Sequence, residues 1–303
     1  MKIREKFKGI YTALMTPFTS KDEINERVLR ELAKFQISAG VDGLWLCGGS
    51  AEAALLNLDE RKRIVEITAD EVSGSAEIIV HTGALAQRDV IKLIHHADRI
   101  GVSAIAAIPP HFYKTDQLGI KSFYEAVAGE TRLPFFIYHV PGLTNVTVGP
   151  KVVKDLLHIP NLSGIKYSDY NLFEMESILK LHNYRLSVLS GNDEVLLAAL
   201  SMGAHGGVGL TYNYLPGAFV NLYRAFQTGL WEEAQKLQGQ INDVIRQTLK
   251  FGPYACMKWI VKQMGFECGE CRAPIRPLTD EEEAMLRKNL CKTDLLAEVL
   301  SQR

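Results

Sequence analysis

The sequence predicts an α/β fold, a (β/α)8 TIM barrel with a C-terminal helical extension. Three observations support this prediction. Eight short apolar runs, each followed by a helical pattern, occupy about 225 of the 303 residues. Strands that are apolar throughout belong to a parallel sheet covered by helices on its outer face. No G-x-G-x-x-G follows the first run, which favours a closed barrel over a doubly wound sheet.

The predicted strands are short, β-rich and apolar, and several end at turn-forming residues. Pro109-Pro110 closes the fourth strand, and Pro141-Gly142 ends the fifth. The sixth lies within Leu162–Asp169 and carries Lys166. The other seven are Ile10–Met15, Gly43–Cys47, Glu77–His81, Ala104–Ile108, Phe135–His139, Leu186–Leu189 and Gly206–Leu210.

Each predicted strand is followed by a segment with helical periodicity. In the first helix, Val28, Leu29, Leu32, Phe35 and Ile37 form one apolar side. Asp59 is the predicted N-cap of the second helix. The eight helices are predicted at Asn25–Ala39, Asp59–Val72, Asp89–Ile100, Gln117–Gly129, Pro150–Leu157, Leu172–Leu181, Glu194–Met202 and Ala218–Phe226.

From Trp231 onward the strand patterns stop while helical patterns continue. These predicted helices span Glu232–Gln247, Tyr254–Met264 and Asp280–Leu290. We therefore expect a barrel domain at residues 1–228, which carries the active site, and a helical domain at residues 229–303. The helical domain is expected to pack on the barrel or on a neighbouring subunit.

Composition excludes several classes of function. Apolar residues make up 47% of the chain and charged residues 23%, with a net charge of −1, so nothing indicates binding to nucleic acid or to a charged membrane. No apolar run reaches the length of a membrane-spanning helix, and the N-terminus lacks a signal-peptide core. The five scattered cysteines are expected to be reduced thiols in the cytoplasm. Cys268 and Cys271 form a single C-x-x-C without the further ligands of a zinc site.

Barrel enzymes carry their chemistry at the carboxyl ends of the strands. Lys166 lies near the end of a buried strand, where desolvation favours the neutral amine, a nucleophile that forms Schiff bases. The alternative is an ammonium that reaches water or pairs with a carboxylate. The turn at Gly48–Glu52 offers backbone amides and the Ser50 hydroxyl to a carboxylate, or is simply a tight turn. Tyr138 is a candidate for proton transfer or for packing.

The residues at the same strand ends can also be interpreted as a metal site. His81, His111 and His139 follow strands three, four and five, and three imidazoles could bind a divalent ion in a metal-dependent aldolase or hydrolase. No H-x-H spacing or neighbouring carboxylate supports this alternative. The prolines near His111 and His139 are typical of ordinary loops.

Five segments together resemble one enzyme family over nearly the whole chain, from Gly9 to about Leu278. The family is that of the pyruvate-dependent class I aldolases typified by dihydrodipicolinate synthase and N-acetylneuraminate lyase. The segments are Thr16-Pro17-Phe18, Gly48–Glu52, Tyr138-His139-Val140-Pro141, Gly164-Ile165-Lys166 and Gly206-Gly207-Val208-Gly209.

The resemblance implies a role for each matching residue. Lys166 corresponds to the lysine that forms the Schiff base, and Tyr138 to the proton-transfer residue. The turn containing Gly49 and Ser50 corresponds to the turn that binds the pyruvate carboxylate. The sugar pocket of the lyase branch corresponds to a further set of positions, namely Ser168, Gly191, Asp193, Glu194, Gly209 and Leu210.

Within the family, the sequence is more similar to the lyase branch. The synthase branch carries an arginine two residues after the proline of Y-x-x-P, where this chain has Leu143. Three positions depart from the family pattern. Gly49 replaces the first of two adjacent hydroxyl residues, Phe112 replaces a phenol near the catalytic tyrosine, and Leu210 replaces a serine of the sugar pocket.

We therefore predict a Schiff-base aldolase that cleaves a 2-keto-3-deoxy sugar acid, N-acetylneuraminate, to pyruvate and the aldehyde N-acetylmannosamine. The predicted mechanism needs no metal or organic cofactor. The cysteines and the N-terminus lead us to expect a cytoplasmic enzyme of carbohydrate metabolism, and the resemblance implies a homotetramer. The alternatives are a family aldolase or dehydratase acting on a shorter acid, dihydrodipicolinate synthase, a metal-dependent barrel enzyme, and a keto-acid-binding protein without turnover.

Overall fold

A computed structural model describes residues 6–181, 185–297 and 300 of the chain. Its eight strands are parallel and close into a barrel in chain order, with β8 paired to β1. The predicted (β/α)8 barrel is thereby confirmed. The strands are β1 (Gly9–Ala13), β2 (Gly43–Leu46), β3 (Glu77–His81), β4 (Ala104–Ala107), β5 (Phe135–His139), β6 (Leu162–Tyr167), β7 (Ser187–Ser190) and β8 (Gly206–Gly209).

Apart from the short helix at Pro141–Thr144, which was not predicted, the helices follow the predicted order with small shifts at their ends. Those around the barrel are α1 (Glu26–Ser38), α2 (Leu58–Val72), α3 (Gln87–Ile100), α4 (Gln117–Ala128), the short α5 (Pro141–Thr144), α6 (Pro150–Leu156), α7 (Leu172–Lys180), α8 (Leu196–Ser201) and α9 (Pro216–Gln227). The C-terminal helices are α10 (Trp231–Thr248), α11 (Pro253–Gln263) and α12 (Asp280–Leu290). In these described residues, no helix is both long and apolar enough to span a bilayer.

The N-cap of α2 corrects one prediction. Asn57, not Asp59, caps this helix, because its side chain accepts hydrogen bonds from the amides of Asp59 and Glu60. The Glu60 carboxylate in turn accepts from the Asn57 amide at 2.8 Å. This reciprocal capping box satisfies donors that would otherwise lack partners at the helix start.

Strand register decides which side chains enter the barrel. Phe136 of β5 pairs with Gly164 of β6, and two residues further along Tyr138 pairs with Lys166. Alternate residues of a strand share a face, so the inward face that carries Phe136 also carries Tyr138. A Cβ on Gly164 would lie only 2.3 Å from the Phe136 ring. Glycine therefore leaves room for the ring, which fills the barrel beneath Tyr138 and Lys166.

The C-terminal helices continue the hydrophobic core that surrounds the barrel. Ile241, Ile260 and Leu286 belong to the same buried cluster as side chains of the strands and barrel helices. Lys258 of α11 is fully buried, ion-pairs with Glu52 at 3.2 Å, and donates to the carbonyl of Thr16 at 2.9 Å. The helices are thus attached to the loop after β2. The division at residues 228 and 229 stays a prediction.

Candidate active site

A cavity of about 400 Å³ lies at the carboxyl ends of the strands. Loops and strand ends from β2, β5, β6, β7 and β8 form its wall. It brings together most of the predicted site residues, namely Gly49, Ser50, Tyr138, Lys166, Ser168, Gly191 and Leu210.

Lys166 is the buried amine of this cavity. Its side chain is 4% exposed, and among the described residues it forms neither an ion pair nor a hydrogen bond. Burial lowers its pKa from 10.5 to about 7, against the opposing effect of the Asp193 carboxylate. The ammonium position lies 4.5 Å from the ring centroid of Tyr138 and 4.9 Å from that of Trp45. Aromatic faces attract a cation by about 1–2 kcal/mol, less than the desolvation cost, so a large neutral fraction exists at neutral pH.

A second buried lysine shows what a structural amine looks like in this protein. Lys258 is 1% exposed, yet its ammonium contacts the Glu52 carboxylate and donates to the carbonyls of Thr16 and Glu270. A buried charge is tolerated when it is paired and hydrogen-bonded in this way. Lys166 lacks these partners, and this difference distinguishes a candidate nucleophile from a structural ion pair.

Tyr138 lies beside Lys166 and is 6% exposed. Its ring contacts Trp45 and His81 edge to face, with both centroids 5.3 Å away. Burial raises the pKa of its phenol, and the nearby Tyr254 adds to this, while a hydrogen bond with the Gly49 backbone opposes both. The phenol therefore carries its proton at neutral pH in the unliganded site. A cation formed on Lys166 would lower that pKa again.

The turn after β2 is held in shape by the C-terminal region. Two short 3₁₀ segments, Gly49–Ala51 and Ala53–Leu55, are separated by Glu52, whose φ of 58° is left-handed. The Glu52 carboxylate is ion-paired with Lys258 and accepts the Arg272 amide at 2.7 Å. These contacts offset the strain of a left-handed non-glycine residue. Gly49 and Ser50 are thereby fixed facing the cavity.

Three predicted residues do not line this cavity: Asp193, Glu194 and Gly209. Asp193 is buried, and its Oδ2 accepts the Thr211 amide at 2.7 Å. Its Oδ1 has no hydrogen-bond partner within the described chain, and burial raises the carboxyl pKa to about 6. A Cβ on Gly209 would lie 2.0 Å from that Oδ1, so glycine is what allows Asp193 to lie there.

Tyr170 connects Glu194 to the cavity. Its hydroxyl donates a hydrogen bond to Glu194 Oε1, and Tyr170 itself lines the cavity. Ser168 and Gly191 are in direct contact, since a Cβ on Gly191 would lie 1.9 Å from Ser168 Oγ. That hydroxyl is buried and has no partner among the described residues, so it is available to a ligand.

Two of the three histidines of the metal alternative, His81 and His139, have other contacts. His81 is fully buried, with Nδ1 2.7 Å from the Cys47 carbonyl, and burial lowers its pKa to about 3. His139 Nδ1 accepts the Val148 amide, and its ring stacks on Tyr167 at 4.7 Å. Across the part of the chain that the structure describes, no group of three His, Cys, Asp or Glu side chains has metal-binding geometry.

A second cavity, of about 330 Å³, is also lined by Tyr138. Both cavities are lined by Gly49, Tyr138, Val140, Leu143 and Tyr254. Phe112, the departure from the family's phenol, lines neither of these two and is 70% exposed, with its ring against Tyr113. Within one chain, Phe112 is therefore not a neighbour of Lys166.

Sequence reasoning missed three side chains of the site. Trp45 lies within the apolar run of the predicted second strand and looks like core, which it also is. Tyr170 directly follows Asp169, so its place in a loop after β6 was a signal that could have been used. Tyr254 begins a C-terminal helix far from any strand end, and no local pattern connects it with the site.

Comparisons with known proteins find similarity over most of the chain. The profile of the Dihydrodipicolinate synthetase family matches residues 6–293. The chain is 36% identical over 283 residues to an N-acetylneuraminate lyase of Rhizobium meliloti (strain 1021), covering 93% of this chain and 94% of the relative. It is 30% identical over 285 residues to a 4-hydroxy-tetrahydrodipicolinate synthase of Acetivibrio thermocellus, covering 94% and 96%.

A solved structure of similar fold is CdNal from Clostridium difficile in complex with mannosamine. It superposes with a TM-score of 0.91 at 30% sequence identity, and the match covers 95% of this chain and 99% of that chain. The similarity therefore extends over the barrel and the C-terminal helices alike.

Proposed function

Because this chain belongs to the dihydrodipicolinate synthetase family and is a pyruvate-dependent class I aldolase, we propose that its substrate is N-acetylneuraminate, cleaved to pyruvate and N-acetylmannosamine. The observation that carries the Schiff-base chemistry of this proposal is the amine of Lys166, which is buried and unpaired among the described residues and whose pKa is lowered to about 7. The named substrate is supported by the similarity to N-acetylneuraminate lyases. An amine in this state is a nucleophile at neutral pH.

The proposed reaction begins with attack of the neutral Lys166 amine on C2 of the open-chain keto acid. Loss of water leaves a protonated iminium. The electrons of the C3–C4 bond then move into the iminium to form an enamine, while the C4 hydroxyl loses its proton and becomes the aldehyde. Protonation at C3 and hydrolysis release pyruvate and regenerate the amine.

Tyr138 is the proposed acceptor of the C4 hydroxyl proton, either directly or by a shuttle through the substrate carboxylate. Its phenol is protonated at neutral pH, because burial raises its pKa. The positive iminium on Lys166, next to the Tyr138 ring, would favour the phenolate. Ser50 and the amides of its turn are proposed to bind the carboxylate of the keto acid.

Leu143 favours the lyase branch over the synthase branch. It lines both cavities beside Tyr138 and offers no charge to a second substrate carboxylate. The relatives that match the chain include both a lyase and a synthase by name. An apolar side chain at this position supports a neutral sugar aldehyde as the second product.

Trapping with borohydride tests the Schiff base. In the presence of pyruvate, wild-type protein should lose activity and carry the reduced adduct on Lys166, while a chelator should have no effect. Loss of activity to a chelator without an adduct would instead support the metal-dependent alternative. An adduct without cleavage of any sugar acid would support a keto-acid-binding protein.

Leu210 provides the test of the named substrate. It is half-buried in the wall of the Lys166 cavity, and a leucine cannot pair with a sugar hydroxyl. A buried hydroxyl without a partner costs about 1–3 kcal/mol. Wild type and Leu210→Ser should be compared on N-acetylneuraminate and on a six-carbon keto-deoxy acid. We expect wild type to cleave N-acetylneuraminate.

Cleavage of only the shorter acid by wild type, with N-acetylneuraminate gained by Leu210→Ser, would refute the named substrate and leave the aldolase class intact. A turnover screen over sialic acids and shorter keto-deoxy acids completes the comparison. A homotetrameric assembly and a cytoplasmic location remain predictions, to be measured by light scattering and cell fractionation.

A further inference from the structure

Tyr254 enters the active-site wall from outside the barrel. It lies in the first turn of α11, among the C-terminal helices, and lines both cavities next to Tyr138. Among the residues that the structure describes, its hydroxyl makes no hydrogen bond. A phenol at the wall of a binding cavity without a partner is available to a ligand.

The Tyr254 hydroxyl occupies the space in front of Gly49. A Cβ built on Gly49 would lie 3.5 Å from Tyr254 Oη and 3.9 Å from Tyr138 Oη. The two hydroxyls are therefore separated by no more than the sum of these distances. Both hydroxyls lie near the turn that carries Ser50. A Cβ at position 49 would be in ordinary contact with them, so glycine simply leaves the space between the turn and Tyr254 without a side chain.

Gly49 therefore contributes no side-chain hydrogen-bond donor to a ligand at this turn. Ser50 is the neighbouring residue with a hydroxyl, and the amides of the turn are the other donors. A carboxylate has about four lone-pair sites and is stabilised by each donor that reaches it. Tyr254 of α11 offers a neutral O–H group to the same region.

We propose that Tyr254 is a further substrate-positioning residue, whose hydroxyl donates a hydrogen bond to the carboxylate of the keto acid in the space left by Gly49. This inference rests on the proposed function, because it takes the ligand at the Gly49–Ser50 turn to be a 2-keto acid joined to Lys166. Burial raises the pKa of the Tyr254 phenol, so it is a donor at neutral pH.

The test measures how much pyruvate is needed to trap the adduct on Lys166 with borohydride. Tyr254→Phe removes only the hydroxyl, and a hydrogen bond to a charged group corresponds to a change of about ten- to a hundred-fold in half-saturating pyruvate. The maximal amount of adduct should be unchanged. Acetone, a ketone without a carboxylate, should be trapped equally by wild type and Tyr254→Phe.

A second variant distinguishes a lost hydrogen bond from lost packing. The contact of 3.5 Å leaves room for a side chain at position 49, so Gly49→Ser in the Tyr254→Phe background should return a hydroxyl to the site and lower half-saturating pyruvate again. Gly49→Ala in the same background is the matched control. It adds the same Cβ without the hydroxyl and should not rescue.

An unchanged half-saturation in folded Tyr254→Phe would overturn the inference, as would rescue by Gly49→Ala equal to that by Gly49→Ser. An equal loss of acetone and pyruvate trapping would also overturn it, since acetone lacks the carboxylate. In all three cases the adduct on wild type would still support the aldolase. Absence of any adduct on wild type would overturn both the proposed function and this inference.

Discussion

Replacing Lys166 with methionine should stabilise the folded protein. Methionine has a similar length and carries no charge, so it suits a site that is 4% exposed and in contact with the rings of Tyr138 and Trp45. Lys166 has the opposite effect, because folding transfers its amine out of water. A residue kept for chemistry at the expense of stability is typical of an active site.

The magnitude follows from the two pKa values of the amine. Its pKa is 10.5 ordinarily and about 7 in the folded protein. Between these values the unfolded chain binds the proton and the folded chain does not, so the stability of wild type rises with pH across this window. The destabilisation by Lys166 is complete below pH 7 and disappears above pH 10.5. It amounts to about 4 kcal/mol at pH 7 and about 2 kcal/mol at pH 9.

The assay is urea unfolding of wild type and Lys166→Met at pH 7 and pH 9, at one protein concentration and with reversibility checked. Tryptophan fluorescence reports unfolding, because Trp45 is buried beside the site. The variant should be more stable at both pH values, and its advantage should shrink by about 2 kcal/mol between them.

Lys258→Met is the matched control, since it makes the same change at the other buried lysine. It should destabilise the protein by about 3–5 kcal/mol, because Glu52 is left buried without its cation. An equal effect of Lys166→Met at the two pH values would refute the reasoning, because it would mean that the folded amine keeps an ordinary pKa. Destabilisation by Lys166→Met would refute it as well.

The remaining predictions concern catalysis. Lys166→Ala should abolish turnover in a folded protein, and retention of more than about a thousandth of wild-type kcat, equivalent to ~4 kcal/mol, would contradict the Schiff-base mechanism. Tyr138→Phe should lower kcat by about a hundred- to ten-thousand-fold with a smaller change in KM, and an unchanged kcat would remove the phenol from the mechanism. The rate of adduct formation with pyruvate should rise with pH and level off above about pH 7, as the Lys166 amine loses its proton. Borohydride trapping, quenched at several times and repeated at several pH values, measures this rate. A midpoint near pH 10 would show that the pKa of Lys166 is not lowered.

The sequence by itself determined the barrel and the position of the candidate nucleophile, Lys166. Apolar strands and amphipathic helices are local patterns, so eight alternating units predicted the closed sheet that the structure has. Lys166 could be assigned to the active-site rim because it lies near the end of β6, and all the parallel strands end at that rim of the barrel. The cap of α2 was misplaced, since Asn57 and Asp59 are both good caps and only backbone geometry selects between them.

Only the tertiary structure decided which of these residues face one another. Lys166 and Lys258 are both buried lysines, and their difference depends on Glu52, which is distant from both in the chain. Asp193 and Glu194 follow β7, yet neither lines the cavity. Asp193 accepts the Thr211 amide, and Glu194 accepts the Tyr170 hydroxyl. Tyr254 reaches the site only because α11 packs against the loop after β2. Burial and charge pairing are sums over non-local neighbours, and for that reason local sequence patterns do not contain them.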